Sequence, residues 1–106
     1  MLPIDHFIED VKNERFVEAH EVLESSWKEL KKTNKEEANL QKGLINATTA
    51  IALKLKGKEK GAYMVWETYL KYKPLIGSVK SDLSEKYKIA EKILEEKYDK
   101  YMKNDQ

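Results

Sequence analysis

Apolar residues recur at intervals of three and four through most of this chain, with few helix breakers between them. Such spacing, averaging 3.6, gathers them on one stripe of an α-helix, whereas a half-buried strand needs strict alternation. Only four glycines and two prolines punctuate the 106 residues. β-branched and aromatic residues nowhere alternate with polar ones for long. The pattern predicts an all-α chain.

A first helix is expected over residues 3–12, with Ile4, Phe7, Ile8 and Val11 on one face. Pro3 suits its first turn, where the missing N–H has no helical partner to lose. A turn near Asn13 and Glu14 leads to a second helix over about 15–31. Its stripe of Phe16, Ala19, Leu23, Trp27 and Leu30 is interrupted by His20. Asn34 and Glu37 read as an N-cap with its reciprocal partner, opening a third helix over about 35–56 that stops at Gly57. Leu40, Leu44, Ala47, Ile51 and Leu55 form its main stripe, widened by Ile45, Ala52, Thr48 and Thr49. This is the expected centre of the bundle, where Gly43, Ala47 and Ala50 are small enough for close helix contact. A fourth helix, over about 58–72, should turn Ala62, Val65, Trp66, Tyr69 and Leu70 inward, with Gly61 allowing a close approach. Gly77 and Ser78 mark a loop. A fifth helix should run to about 103 on Leu83, Tyr87, Ala90, Leu94, Tyr98 and Tyr101, and residues 104–106 should fray. About five helices with short connections predict a compact, mostly antiparallel bundle, one domain over 1–106.

Cysteine is absent, which excludes disulfides and thiolate metal sites and favours a reducing, cytoplasmic setting. No signal peptide is read at Met1 to His6, and no apolar run approaches the ~20 residues that span a bilayer. Charged residues make up 37% of the chain, yet the net charge is only +1, which argues against a dedicated nucleic-acid binder.

Three stretches carry a resemblance. They are Phe16-Val17-Glu18-Ala19-His20-Glu21-Val22-Leu23-Glu24-Ser25-Ser26-Trp27, then Lys42-Gly43-Leu44-Ile45-Asn46, then Gly57-Lys58-Glu59-Lys60-Gly61-Ala62. In this order the chain resembles the prokaryotic family catalogued as domain of unknown function 309, over about residues 5–81. Asn46 stands where that family usually has Gln, Thr48 and Thr49 where Ala is common, and Lys58 where Asn is usual. The resemblance implies an all-α fold and no particular activity.

The residues that carry chemistry cluster on the second helix. His20 and Glu24 are four apart and share a face, Glu21 and Glu24 are three apart, and Trp27 lies seven beyond His20 on its face. His20, Glu24, Trp27 and, from the third helix, Asn46 are the ligand-pocket candidates. In a functional reading His20 is a general base or metal ligand, with Glu24 as second ligand or orienting group and Glu21 assisting. The spacing His-Glu-x-x-Glu lacks the second histidine of the zinc-protease helix. A divalent cation would need a third ligand from His6 or another helix. In a structural reading His20 is a core histidine satisfied by Glu24 or Asn46, and Trp27 is a core anchor.

Three function classes follow. The favoured one is a non-catalytic binding or interaction module, for which a homodimer is one form. Tyr63, Trp66, Tyr69 and Tyr72 are mostly core and rim, or a dimer patch. The second is a small metal-dependent or acid–base enzyme using His20 and Glu24. The third, least favoured, is nucleic-acid binding through Lys54, Lys56, Lys58 and Lys60 around Gly57. No organic cofactor is indicated.

Overall fold

The computed structural model describes residues 1–103, and every element in them is helical: α1 (Pro3–Lys12), α2 (Phe16–Leu30), α3 (Lys35–Leu55), α4 (Glu59–Tyr72), α5 (Leu75–Ser78) and α6 (Ser84–Tyr101). The expected fraying of residues 104–106 lies outside the described residues. The main helix boundaries agree with the sequence expectation to within a few residues. The loop expected at Gly77 and Ser78 is instead the end of the short helix α5, which inserts the buried Ile76 into the core.

Local chemistry explains where the helices begin and end. The Asn34 side chain accepts from the Glu37 backbone N–H at 3.1 Å and so caps α3. At the other end Gly57 takes φ +80°, the Lys58 N–H donates to the Leu53 carbonyl at 2.9 Å, and the Gly57 N–H donates to the Lys54 carbonyl at 3.0 Å. That pair of bonds is the Schellman ending, which needs a residue tolerant of positive φ. Between α1 and α2 the positive-φ position is Glu14, at 61°. Its carboxylate accepts from Lys97 and Lys100, each at 2.8 Å, and from the Tyr101 hydroxyl, all on α6. The turn is thereby tied to the last helix.

The consecutive helices α1, α2, α3 and α4 pack as hairpins, and α6 returns against α1 and α3. Helix α3 is central: Leu40, Leu44, Ala47, Ala50 and Ile51 are all buried. It lies against α4 so closely that a Cβ built on Gly43 would sit 2.9 Å from Tyr72 Cβ. Gly61 has no such role, since its nearest neighbour would be Leu53 Cδ1 at 3.8 Å. Trp66 stacks on Tyr98 with ring centres 4.4 Å apart and tilts against Tyr69. Two stripe residues expected inside are exposed: Leu55, 52%, at the last turn of α3, and Leu70, 42%, on α4.

The interior also holds a polar cluster. Glu37 is buried and accepts from the Tyr87 hydroxyl at 2.5 Å and from the Ser81 hydroxyl at 2.8 Å. The Gln41 amide donates to the Tyr87 oxygen at 2.9 Å. The cap partner of α3 is therefore also the anchor that joins α3 to α6.

Candidate functional site

Helices α2 and α3 run antiparallel, as their shared concavities require: His20 lies with Thr49 and Leu53, and Trp27 with Ala38, Asn39 and Lys42. The seam between them therefore has two ends, some 10 Å apart at 1.5 Å per residue along α2.

At the first end an open groove of about 220 Å³ is lined by Phe16, Val17 and His20 from α2, by Thr49, Ala52 and Leu53 from α3, and by Lys56 at the α3 C-cap. Phe16 is fully packed, whereas Val17 is half exposed. The groove adjoins a second concavity that shares Phe16, Val17, Ala52 and Lys56 and adds the exposed Leu55 together with Glu14, Arg15 and Glu18. The walls of the first groove are mostly apolar, with three polar groups. The Thr49 hydroxyl already donates to the Ile45 carbonyl at 3.2 Å, as a helical threonine can. The Lys56 ammonium has no carboxylate partner among the described residues. His20 is about one-third exposed and makes no hydrogen bond among the described residues. Its Nε2 is 3.7 Å from Glu24 Oε2, outside hydrogen-bond distance.

The other predicted residues are dispersed. Glu24 also lies near Lys28, at 3.7 Å, so its carboxylate is shared between an imidazole and an ammonium on its own helix. Glu21 is exposed. The Asn46 amide donates to the Lys42 carbonyl at 2.7 Å, within its own helix, and among the described residues no hydrogen bond joins it to His20. Trp27 is half-buried in the second concavity, where the Lys31 ammonium lies 4.3 Å from its ring centre. His6 is exposed on α1. Among the described residues no three His, Cys, Asp or Glu side chains come together to hold a metal ion. No helix of the described residues is long and apolar enough to cross a membrane. Of the four lysines around Gly57, Lys54 has an almost buried side chain paired with Glu59 at 2.7 Å, which leaves Lys56, Lys58 and Lys60 exposed.

Sequence reading did not single out Val17, Thr49, Leu53 or Lys56 as groove residues. Thr49, Leu53 and Lys56 follow each other at spacings of four and three, so a shared face was legible. Their opposition to His20 depends on the antiparallel register.

These features define an all-α chain built on a helical hairpin with a His-lined, largely apolar groove. The model of the family described as Domain of unknown function (DUF309) matches residues 4–65, and the chain belongs to that family. The match covers α1, α2 and α3 and ends within α4. No curated protein and no solved structure matches the chain.

Proposed function

We propose that this chain is a non-catalytic binding module whose α2–α3 groove takes a ligand with an apolar body and an acidic end. The observation that carries the reading is the groove itself, with its apolar floor beside the unbonded His20 imidazole and the unpaired Lys56 ammonium. Pockets that bind small ligands combine apolar walls with a few convergent polar groups in this way. Phe16, Val17, Ala52 and Leu53 would cover the body, and Lys56 and His20 would meet the carboxylate.

The test is an amide-resolved NMR titration of the full chain with hexanoate, and with hexylammonium as the control of opposite charge. Hexanoate should shift the amides of Phe16, Val17, His20, Thr49 and Leu53. His20→Ala and Lys56→Gln should each weaken the response, and hexylammonium should give none. Equal response to both probes, or shifts confined elsewhere, would overturn the reading. A second copy of the chain covering Val17 and Leu55 would appear instead as concentration-dependent shifts without any probe.

An acid–base or metal-dependent activity is the second reading, resting on the Glu24 carboxylate at 3.7 Å from the imidazole. Catalytic pairs are often loose without substrate. Against it stand the sharing of Glu24 with Lys28 and the exposure of Glu21.

A further inference from the structure

The other end of the α2–α3 seam has a different chemistry. A concavity of about 470 Å³ is lined by Trp27 from α2, by Lys31 at the α2 C-cap, and by Lys35, Ala38, Asn39 and Lys42 from α3. Its lining carries three ammonium groups and no carboxylate. None of the three lysines has an ion-pair partner among the described residues, although neighbouring Lys28 and Lys32 are paired with Glu24 and Glu29. Lys31 and Lys42 lie instead beside aromatic faces, 4.3 Å from the Trp27 ring centre and 5.9 Å from that of Tyr72. Such contacts hold a cation in place without neutralising it. The half-buried Asn39 amide and the Trp27 indole N–H make no hydrogen bond among the described residues.

We propose that this concavity is a binding site for the phosphate group of a small phosphorylated molecule. Like charges gathered in one recess raise each other's free energy, and a polyvalent anion bound among them relieves that repulsion. Lysine is a donor only, and so is the indole nitrogen. The Asn39 amide adds two more donors. A phosphate offers several acceptor oxygens to such a wall, whereas a single carboxylate would satisfy fewer of its donors. The volume falls within the range of small-ligand sites. A nucleic-acid backbone fits less well, because it needs a basic track beyond one recess, and here exposed Glu29 and Glu36 flank the lysines. The site is separate from the His20 groove and does not depend on what that groove binds.

The experiment is calorimetric titration of the full chain with inorganic pyrophosphate at fixed ionic strength. Saturable binding to one site is expected, weakened about tenfold or more in Lys35→Gln/Lys42→Gln. It should be unchanged in Lys58→Gln/Lys60→Gln, which removes the same charge from the exposed lysines beside Gly57. All four are surface lysines, and an unchanged melting temperature will show that the variants are folded. No saturable binding, or equal loss in both double variants, would overturn the proposal. A ten-nucleotide single strand that binds more tightly than pyrophosphate, and is lost in Lys35→Gln/Lys42→Gln, would overturn it in favour of a nucleic-acid backbone.

Discussion

Two tyrosine-to-phenylalanine substitutions remove the same atom from the same kind of bond, and the structure assigns them different consequences. Tyr87 and Tyr69 are both buried, and each donates its hydroxyl to a glutamate: Tyr87 to Glu37 at 2.5 Å, Tyr69 to Glu95 at 2.7 Å. Burial is the first cause that pushes both phenols well above their ordinary value, with the glutamate partner second. Glu95 is more than one-third exposed and is also held by Lys73 at 2.7 Å, so Tyr69→Phe leaves a carboxylate that water and an ammonium still satisfy. Glu37 is only 7% exposed, and without Tyr87 its carboxylate keeps the Ser81 hydroxyl at 2.8 Å and a long bond from the Asn34 amide at 3.5 Å. The Gln41 amide, 1% exposed, loses its acceptor in the same step. A hydrogen bond to a charged group contributes about 1.5–3 kcal/mol, and a buried group left unpaired costs about 1–3 kcal/mol. These terms overlap, so Tyr87→Phe should destabilise by about 3 kcal/mol, and Tyr69→Phe by about 1 kcal/mol. Any void is only hydroxyl-sized in either case, since the ring stays. Urea denaturation followed by circular dichroism gives both values. Thermal melts should show the larger effect as a fall in Tm of roughly 12–20 °C. If Tyr87→Phe costs no more than Tyr69→Phe, the Glu37–Tyr87–Gln41 cluster is not the interior anchor described above.

Other expectations can be checked on the same material. Hydrogen bonds from Lys100, Lys97 and Tyr101 hold Glu14 down from the ordinary 4.5 to about 2. Because the folded value lies below the unfolded one, the stability from this clamp is complete above about pH 5 and is lost as the pH falls towards 2. Glu14→Gln should therefore melt below the unchanged protein at pH 7, and the two curves should converge near pH 2. Gly43→Ala should destabilise by about 1–3 kcal/mol, because its Cβ meets Tyr72 Cβ at 2.9 Å. Gly61→Ala, helical and uncrowded, should stabilise by about 0.5–1 kcal/mol, and chemical denaturation compares the two. Divalent ions added to metal-stripped protein should leave Tm unchanged, since no three ligands converge among the described residues. A rise with one ion, abolished by His20→Ala, would replace the binding-module reading with the metal-dependent one.

Much of the fold was legible before any coordinates. Repetition at three and four placed α1, α2, α3, α4 and α6, the Asn34 cap and Gly57 marked the ends of α3, and the broad apolar surface of α3 pointed to its central place. These are local signals, carried by residues within a turn or two of each other. What tertiary packing decided is what depends on residues distant in the chain. Leu55 and Leu70 continue their stripes beyond the surface that another helix covers, so periodicity alone placed them inside when they are exposed. Glu37 reads as a cap partner, yet Tyr87, fifty residues away, makes it an interior anchor. The partial exposure of His20 comes from its opposition to Thr49 and Leu53 in a groove that α2 and α3 do not close. The same antiparallel register separates Trp27 from His20 into its own lysine-lined recess, although one helix face carries both. A helix specifies which residues share its face; only the packing of a second helix against that face determines which of them meet water, and in what company.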